Sequence, residues 1–292
     1  MNAASPPSHK VVCVDFGDVR VQDTCFGLQP PTTRSVVLRF PTEDAFELSS
    51  NDEFEAPVSS AWQGLLNDLA FDELGRSDDI RAIVLDANGP AFCAGADLNW
   101  MKKMAGYSHA ENSEDASKLA EMLRAIYLCP KPVVAKIQGD CYAGGMGLVA
   151  ACDIAVTVNS ASFCLSEVKL GLIPATISPY VIRAMGENAA RRYFLTAEKF
   201  SAQEAHRIGF VHDIVPADAL DAHVAAIVNA IVTSSPNAVR EAKVLVREIT
   251  GKAVDAAMVV DTAERIAKVR ASDEGREGVA SFLEKRKPSW LV

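Results

Sequence analysis

Two short stretches gather residue types that can stabilise a developing negative charge. In residues 133–174 a β-rich apolar run, Val133 to Ile137, leads to the glycine pair Gly144-Gly145. An apolar helix-like segment, Met146 to Ala151, follows at once. A second apolar run, Ile154 to Val158, and a third, Ala161 to Leu165, then deliver one carboxylate, Glu167. Glycine at a helix start lets a ligand approach the backbone, since it has no Cβ. The unpaired N–H groups there, at the positive end of the helix dipole, suit an oxygen that is gaining charge. The other stretch is Ala91-Phe92-Cys93-Ala94-Gly95-Ala96-Asp97-Leu98, after the strand-like run Ala82 to Leu85 and the turn Asn88-Gly89-Pro90. Two strand-to-helix loops of this kind would form a two-donor oxyanion hole. A carboxylate between apolar runs, with Phe163, Leu165 and Val168 beside it, has its pKa raised and suits acid–base work.

The elements that position these groups alternate strand, glycine turn and helix, which predicts an α/β fold with a parallel layer. Residues 1–10 are small, polar and proline-containing, and disorder is expected there. Val11 to Val21 reads as one strand and Ser35 to Phe40 as a second. The acidic stretch SSNDEFEAP reads as a solvated loop. Ser59 to Leu74 reads as an amphipathic helix, with Trp62, Leu65, Leu66 and Leu69 at helical spacing. Asp97 is placed to cap the helix LNWMKKM, and Ser108-His109-Ala110-Glu111 is a capping box for the next. Leu119, Met122, Leu123 and Ile126 form one face of that helix, and Pro130 and Pro132 stop it. Ser178 followed by Pro179 reads as a cap and first helical position, with a helix to Ala184 that ends near Gly186. Helices over Asn188–Leu195 and Ser201–Ile208 and a strand over Phe210–Val215 follow. From Ala217 onward the pattern is helical, over about 218–234, 236–249, 251–271 and 275–286.

The chain of 292 residues can bury one large core, and a hydrophobic share of 49% with 23% charged residues is that of a globular protein. A net charge of −9 without Lys/Arg runs argues against a nucleic-acid or anionic-membrane binder. Seven cysteines, at 13, 25, 93, 129, 141, 152 and 164, include no C-x-x-C and read as buried thiols in a reducing compartment. No histidine pair stands with carboxylates at metal-ligand spacing, and no apolar stretch has the length of a membrane span. The N-terminus has neither a transit-peptide nor a signal-peptide pattern. A cytoplasmic location is expected, or the mitochondrial matrix in a eukaryote.

FCAGADL, the AGGMGL turn with ACDIA, and SEVKLGLIP resemble the crotonase superfamily of enoyl-CoA hydratases and isomerases. The stretch LSEVKLGLIPATISPYVIRAMGENAARRYFLTAEKFSA resembles bacterial-type methylglutaconyl-CoA hydratases most closely. The resemblance implies a ββα spiral core with a C-terminal helical region that packs on a neighbouring subunit. It divides the chain into an N-terminal extension with an edge strand (1–35), a spiral core (36–216) and a helical trimerisation region (217–292). It implies a homo-trimer or hexamer, an acyl-CoA thioester as substrate and no separate cofactor. By motif position the N–H groups of Ala96 and Gly144 would bind the thioester oxygen, and Glu167 would be the catalytic acid/base. Ala94, Asp97, Leu98, Gly145, Gly147 and Tyr142 would line the substrate site beside Ala96 and Gly144. A typical hydratase of this family has a second glutamate three residues after the hole glycine, where this chain has Gly147. The usual LNRP-like turn and the segment that holds the CoA adenine are also altered, to Leu38-Arg39-Phe40-Pro41 and an acidic insertion.

Three readings therefore stand: hydration of a branched 2-enoyl-CoA such as 3-methylglutaconyl-CoA, Δ3,Δ2-enoyl-CoA isomerisation with Glu167 as sole base, and a catalytically weak binding homologue. Lys136, Lys169 and Arg183 are candidate cations for a distal substrate carboxylate. Tyr142 either positions water or packs. Lys285 and Arg286 either meet CoA phosphates or end a solvated helix.

Overall fold

The computed structural model describes residues 12–15, 19–20, 34–40, 70–78, 80–96 and 98–291. The expectations for residues 1–10, for 41–58 with its acidic insertion, for the start of the helix at Ser59 and for Asp97 as a cap lie outside them.

The first strands are β1 (Val12–Asp15), β2 (Val19–Arg20) and β3 (Arg34–Phe40). The single strand expected over Val11–Val21 is thus two, paired antiparallel, and the sequence between them contains the turn-forming pair Gly17-Asp18. β1 joins β3 in parallel. α1 (Ala70–Arg76) is the end of the amphipathic helix expected here.

β4 (Ile80–Ala87) is buried nearly throughout, as a parallel strand covered on both faces must be. α2 (Leu98–Met104) and α3 (His109–Leu128) follow, and α3 has the expected capping box at Ser108 and Glu111. Two similar units come next. β5 (Val133–Ile137), β6 (Cys141–Tyr142) and α4 (Gly144–Ala151) form the first. β7 (Ile154–Val158), β8 (Ser162–Cys164), a 310 turn at Glu167–Leu170 and α5 (Ser178–Thr196) form the second. β9 (Phe200–Ser201), α6 (Ala202–Arg207) and β10 (Asp213–Val215) complete the sheets.

The large sheet has the order β10-β7-β5-β4-β3-β1-β2, and the small one β6-β8-β9. Each unit therefore sends one strand to the large sheet, one to the small sheet and a helix over them. α4 is the most deeply packed helix, with Met146, Leu148 and Val149 at 2% exposure or less. Burial of each such side chain contributes about 1.5–3 kcal/mol.

Two helix boundaries differ from expectation. Ile177, not Ser178, is the cap of α5, with Ser178 and Pro179 in its first turn. The Ser178 hydroxyl donates to Ala175 O at 2.7 Å instead of capping. Gly186 (φ 77°, ψ 157°) is non-helical and separates two helical segments within α5, as expected. The C-terminal helices are α7 (Leu220–Val232), α8 (Pro236–Ile249), α9 (Ala256–Ala271) and α10 (Asp273–Leu283). α7 buries Leu220, Val224, Val228 and Val232, whereas α8 and α9 bury no residue completely. α9 starts five residues later than expected, where Asp255 caps it by accepting from Met258 N at 2.9 Å.

Candidate active site

Three chain segments lie side by side and leave the strands in the same direction. The first is the loop after β4. Gln138 Nε2 donates to Gly89 O (3.3 Å) and Ala91 O (2.9 Å), and so holds its start. Phe92 N and Cys93 N both donate to Asp140 O, at 2.9 and 3.1 Å, and Tyr142 N donates to Cys93 O at 2.8 Å. Cys93 and Cys141 thus form a parallel bridge. The approach is close enough to require glycine at 139, where a Cβ would stand 1.9 Å from Pro90 O. The second segment is β6, which pairs in parallel with β8, the third, and Ala143 N donates to Cys164 O at 2.8 Å.

This register aligns the segments that lead to the candidate residues. Ala96 lies three residues after Cys93, whose register partner Cys141 is three before Gly144, and Glu167 lies three after Cys164, whose register partner Tyr142 is two before Gly144. Gly144 opens α4, so its N–H has no acceptor within the helix. Neither Gly144 N nor Ala96 N donates to another described residue. The turn before Gly144 is strained: Ala143 has φ 47° and ψ −122°, a conformation costing about 1–3 kcal/mol for a side-chain-bearing residue. The adjacent glycines serve different ends. A Cβ at Gly145 would stand 2.4 Å from Cys93 Cβ, so Gly145 permits the two loops to meet. A Cβ at Gly144 would meet nothing within 4 Å, so Gly144 faces open space. Ala94 and Ala96 are exposed on the loop, and Leu98 begins α2. The arrangement offers two backbone donors, one at a helix N-terminus, to an oxygen that gains charge.

Glu167 begins the 310 turn after β8. Its Oε2 is buried and has no hydrogen-bond partner among the described residues. Burial raises the pKa of this carboxyl above its ordinary value, opposed only by a backbone hydrogen bond. Leu165 is buried and Val168 half-buried on either side, while Phe163 stacks on Phe200 (5.7 Å) and meets Phe210 edge-on (5.5 Å) in the core.

The place of a second glutamate is filled. A Cβ at Gly147 would lie 2.2 Å from Ile177 Cγ2 and 2.7 Å from Ile177 Cβ. Ile177, at 2% exposure, is the cap residue of α5, so α5 packs directly on the bare backbone of α4 at this point. Sequence reading identified the missing carboxylate but not its replacement, since nothing local marks Ile177.

The remaining candidates separate. The Tyr142 hydroxyl is bonded to the Asp140 carboxylate, to Ser162 Oγ (3.0 Å) and to Lys199 Nζ (2.9 Å), a network absent from the sequence reading. Lys136 bridges Asp86 (3.1 Å) and Asp221 (2.6 Å) and is almost buried, which gives it a structural position between β4, β5 and α7. Arg183 donates to Pro179 O on its own helix and lies over the Tyr127 ring. Lys169 is exposed two residues beyond Glu167. Arg286 is held by Glu277 (2.5 Å) and Glu284 (2.6 Å), and Lys285 precedes it with φ 55°. Among the described residues no cluster of three or more His, Cys, Asp or Glu is placed to hold a metal. No helix among them is long and apolar enough to cross a membrane.

Residues 62–291 match the family model described as enoyl-CoA hydratase/isomerase. An enoyl-CoA hydratase of Alternaria alternata is 36% identical over 219 residues, 73% of this chain and 69% of that protein. The mevalonyl-coenzyme A hydratase of Aspergillus fumigatus is 31% identical over 265 residues, 89% of this chain and 96% of that one. The crystal structure of an enoyl-CoA hydratase from Shewanella pealeana superposes with a TM-score of 0.77 at 41% identity, covering 87% of this chain and 92% of that one.

Proposed function

The chain belongs to the enoyl-CoA hydratase/isomerase family and has its crotonase fold, and from that premise we propose that it adds water to, or removes it from, a branched 2-enoyl-CoA, with 3-methylglutaconyl-CoA as the substrate. The observation that carries this reading is the buried Glu167 Oε2, which has no hydrogen-bond partner among the described residues; the parallel register of the segments that lead to Ala96, Gly144 and Glu167 supports it. The thioester oxygen accepts from Ala96 N and Gly144 N. The ionised Glu167 carboxylate takes a proton from water as the hydroxide adds to Cβ, and the Cα=Cβ electron pair moves onto the thioester oxygen. Glu167 then returns that proton to Cα on the same face. One carboxylate thus suffices for net syn addition of water, and no group beyond the CoA of the substrate takes part. The relative named for mevalonyl-CoA supports a branched acyl chain.

A second reading has its own support. Ile177 over Gly147 leaves a single carboxylate, which is all that Δ3,Δ2-enoyl-CoA isomerisation needs, since one base moves a proton between two carbons. The two are told apart by incubating the protein with 3-methylglutaconyl-CoA, crotonyl-CoA and 3-hexenoyl-CoA and resolving the products by chromatography. The hydratase reading predicts the 3-hydroxy-3-methylglutaryl thioester as the main product, with crotonyl-CoA turned over more slowly. Conversion of 3-hexenoyl-CoA to its 2-isomer with no hydrated product from either 2-enoyl thioester would overturn it. We also propose association into trimers or pairs of trimers, supported by the apolar side chains that α8, α9 and α10 leave in solvent.

A further inference from the structure

The groups assigned above sit on three segments joined by very short ladders. β6 has two residues and β8 three, too few for a strand pair to hold its own register in water. Yet the turn between β6 and α4 carries Ala143 in a strained conformation, and strain of that kind persists only where the surroundings over-determine it. Something beyond the ladders must fix the turn.

We propose that Asp140 is a positioning residue that locks the loop of Ala96, the turn of Gly144 and the strand leading to Glu167 into one frame. The proposal rests on the oxyanion-hole reading of those residues. Asp140 touches all three segments with different groups. Its main-chain carbonyl accepts from Phe92 N (2.9 Å) and Cys93 N (3.1 Å) on the loop. Its Oδ1 accepts from Ser162 N and Ser162 Oγ, both at 2.8 Å, on β8. Its Oδ2 accepts from the Tyr142 hydroxyl on β6 itself. Tyr142 in turn contacts Ser162 Oγ at 3.0 Å and accepts from Lys199 Nζ at 2.9 Å.

The chemistry explains the residue type. A carboxylate offers acceptor sites only, about four of them, and here it meets a backbone N–H and two hydroxyls, which suits an acceptor without donors. Bonds to a charged acceptor are about twice as strong as neutral ones. Burial alone would disfavour the charge, but the hydrogen bonds from Tyr142 and Ser162, with Lys199 nearby, outweigh it and hold the Asp140 pKa below the ordinary value. Asp140 is therefore ionised at neutral pH, with its clamp intact. Asp140 itself lies four residues before Gly144 and touches no reacting atom in this scheme. Its effect passes through the geometry of the hole.

The test reads that geometry directly. Butanoyl-CoA, which cannot be hydrated, is bound to the protein and its thioester C=O stretch is recorded by difference infrared spectroscopy, alongside hydration kinetics on 3-methylglutaconyl-CoA. In the wild-type protein the stretch moves to lower frequency than in free butanoyl-CoA. Asp140→Ala is expected to remove at least about half of that shift and to lower kcat about 100-fold, as misplacement near 1 Å does, with KM changed by less than about threefold. Asp140→Asn keeps an acceptor for Ser162 N and restores most of both. Should Asp140→Ala not fold, Ser162→Ala removes one of the bonds and is expected to lie between Asp140→Asn and wild type. A wild-type shift that Asp140→Ala, or in its absence Ser162→Ala together with Asp140→Asn, leaves intact overturns the role of Asp140 alone. A fall in kcat with an unchanged C=O shift does the same, since it marks a loss of stability rather than of positioning. No shift in the wild-type protein overturns the oxyanion hole, and the proposal with it.

Discussion

A carboxyl group held away from water keeps its proton longer than one in solution, and Glu167 is such a group. The sign of the consequence for stability follows. The folded pKa lies above the unfolded one, so the folded protein binds this proton more tightly. The contribution is fully present below the ordinary value of 4.5 and is lost as pH rises through the higher folded value. Above that folded value the buried Oε2 is therefore charged at a cost to stability. Glu167→Gln is expected to raise Tm at pH 8, and the gain should shrink toward pH 4; thermal denaturation across that range checks it, and a lower Tm at pH 8 would contradict the burial argument. Gly144 and Glu167 stood out in the sequence as candidates because short spacings mark them, a glycine turn before a helix and a carboxylate after a strand, and the family resemblance added Ala96. Asp140 was not. Its partner Ser162 is 22 residues away and the Lys199 that completes the network is 57 residues from Tyr142, and no local pattern encodes such pairings.

Between elements, the decisive contact is that of α4 with the cap of α5. Gly147 is bare because Ile177 occupies the volume that its side chain would need. Ile177 is β-branched and buried, and the clash reaches its Cβ, so it cannot turn aside by rotating a distant atom. Gly147→Glu alone is expected to destabilise the protein by about 1–3 kcal/mol through overpacking, read as a lower urea midpoint. Gly147→Glu with Ile177→Ala frees the volume, and the pair should recover part of that stability and hydrate crotonyl-CoA faster than Gly147→Glu alone. Equal losses in the single and double variants would show that Ile177 is not what excludes the glutamate. The same junction marks a limit of sequence reading. Ser178-Pro179 has the composition of a helix start, yet the chain enters α5 one residue earlier, because the Ser178 hydroxyl bonds back to Ala175 O. Helix existence followed from periodicity, whereas the cap depended on which way one hydroxyl turns.

At the scale of the whole molecule, the core around β4, β5, β7 and α4 was readable as continuous apolar runs, since strands covered on both faces need them. The C-terminal helices were readable as helices but not as a packed layer. Val254 (88% exposed), Phe282 (82%) and Leu283 (72%) stand in solvent, a surface that a second copy of the chain would cover. Sedimentation should find three or six chains together, and Phe282→Asp with Leu283→Asp should reduce the assembly; a wild-type monomer would contradict this. The central claim remains the single carboxylate, and the most direct measurement is kcat/KM for hydration of 3-methylglutaconyl-CoA by wild type and Glu167→Gln. We predict a loss of about 100-fold to 10,000-fold, the range for a positioned acid–base group, with binding of butanoyl-CoA retained. Hydration by Glu167→Gln at close to the wild-type rate would contradict the account.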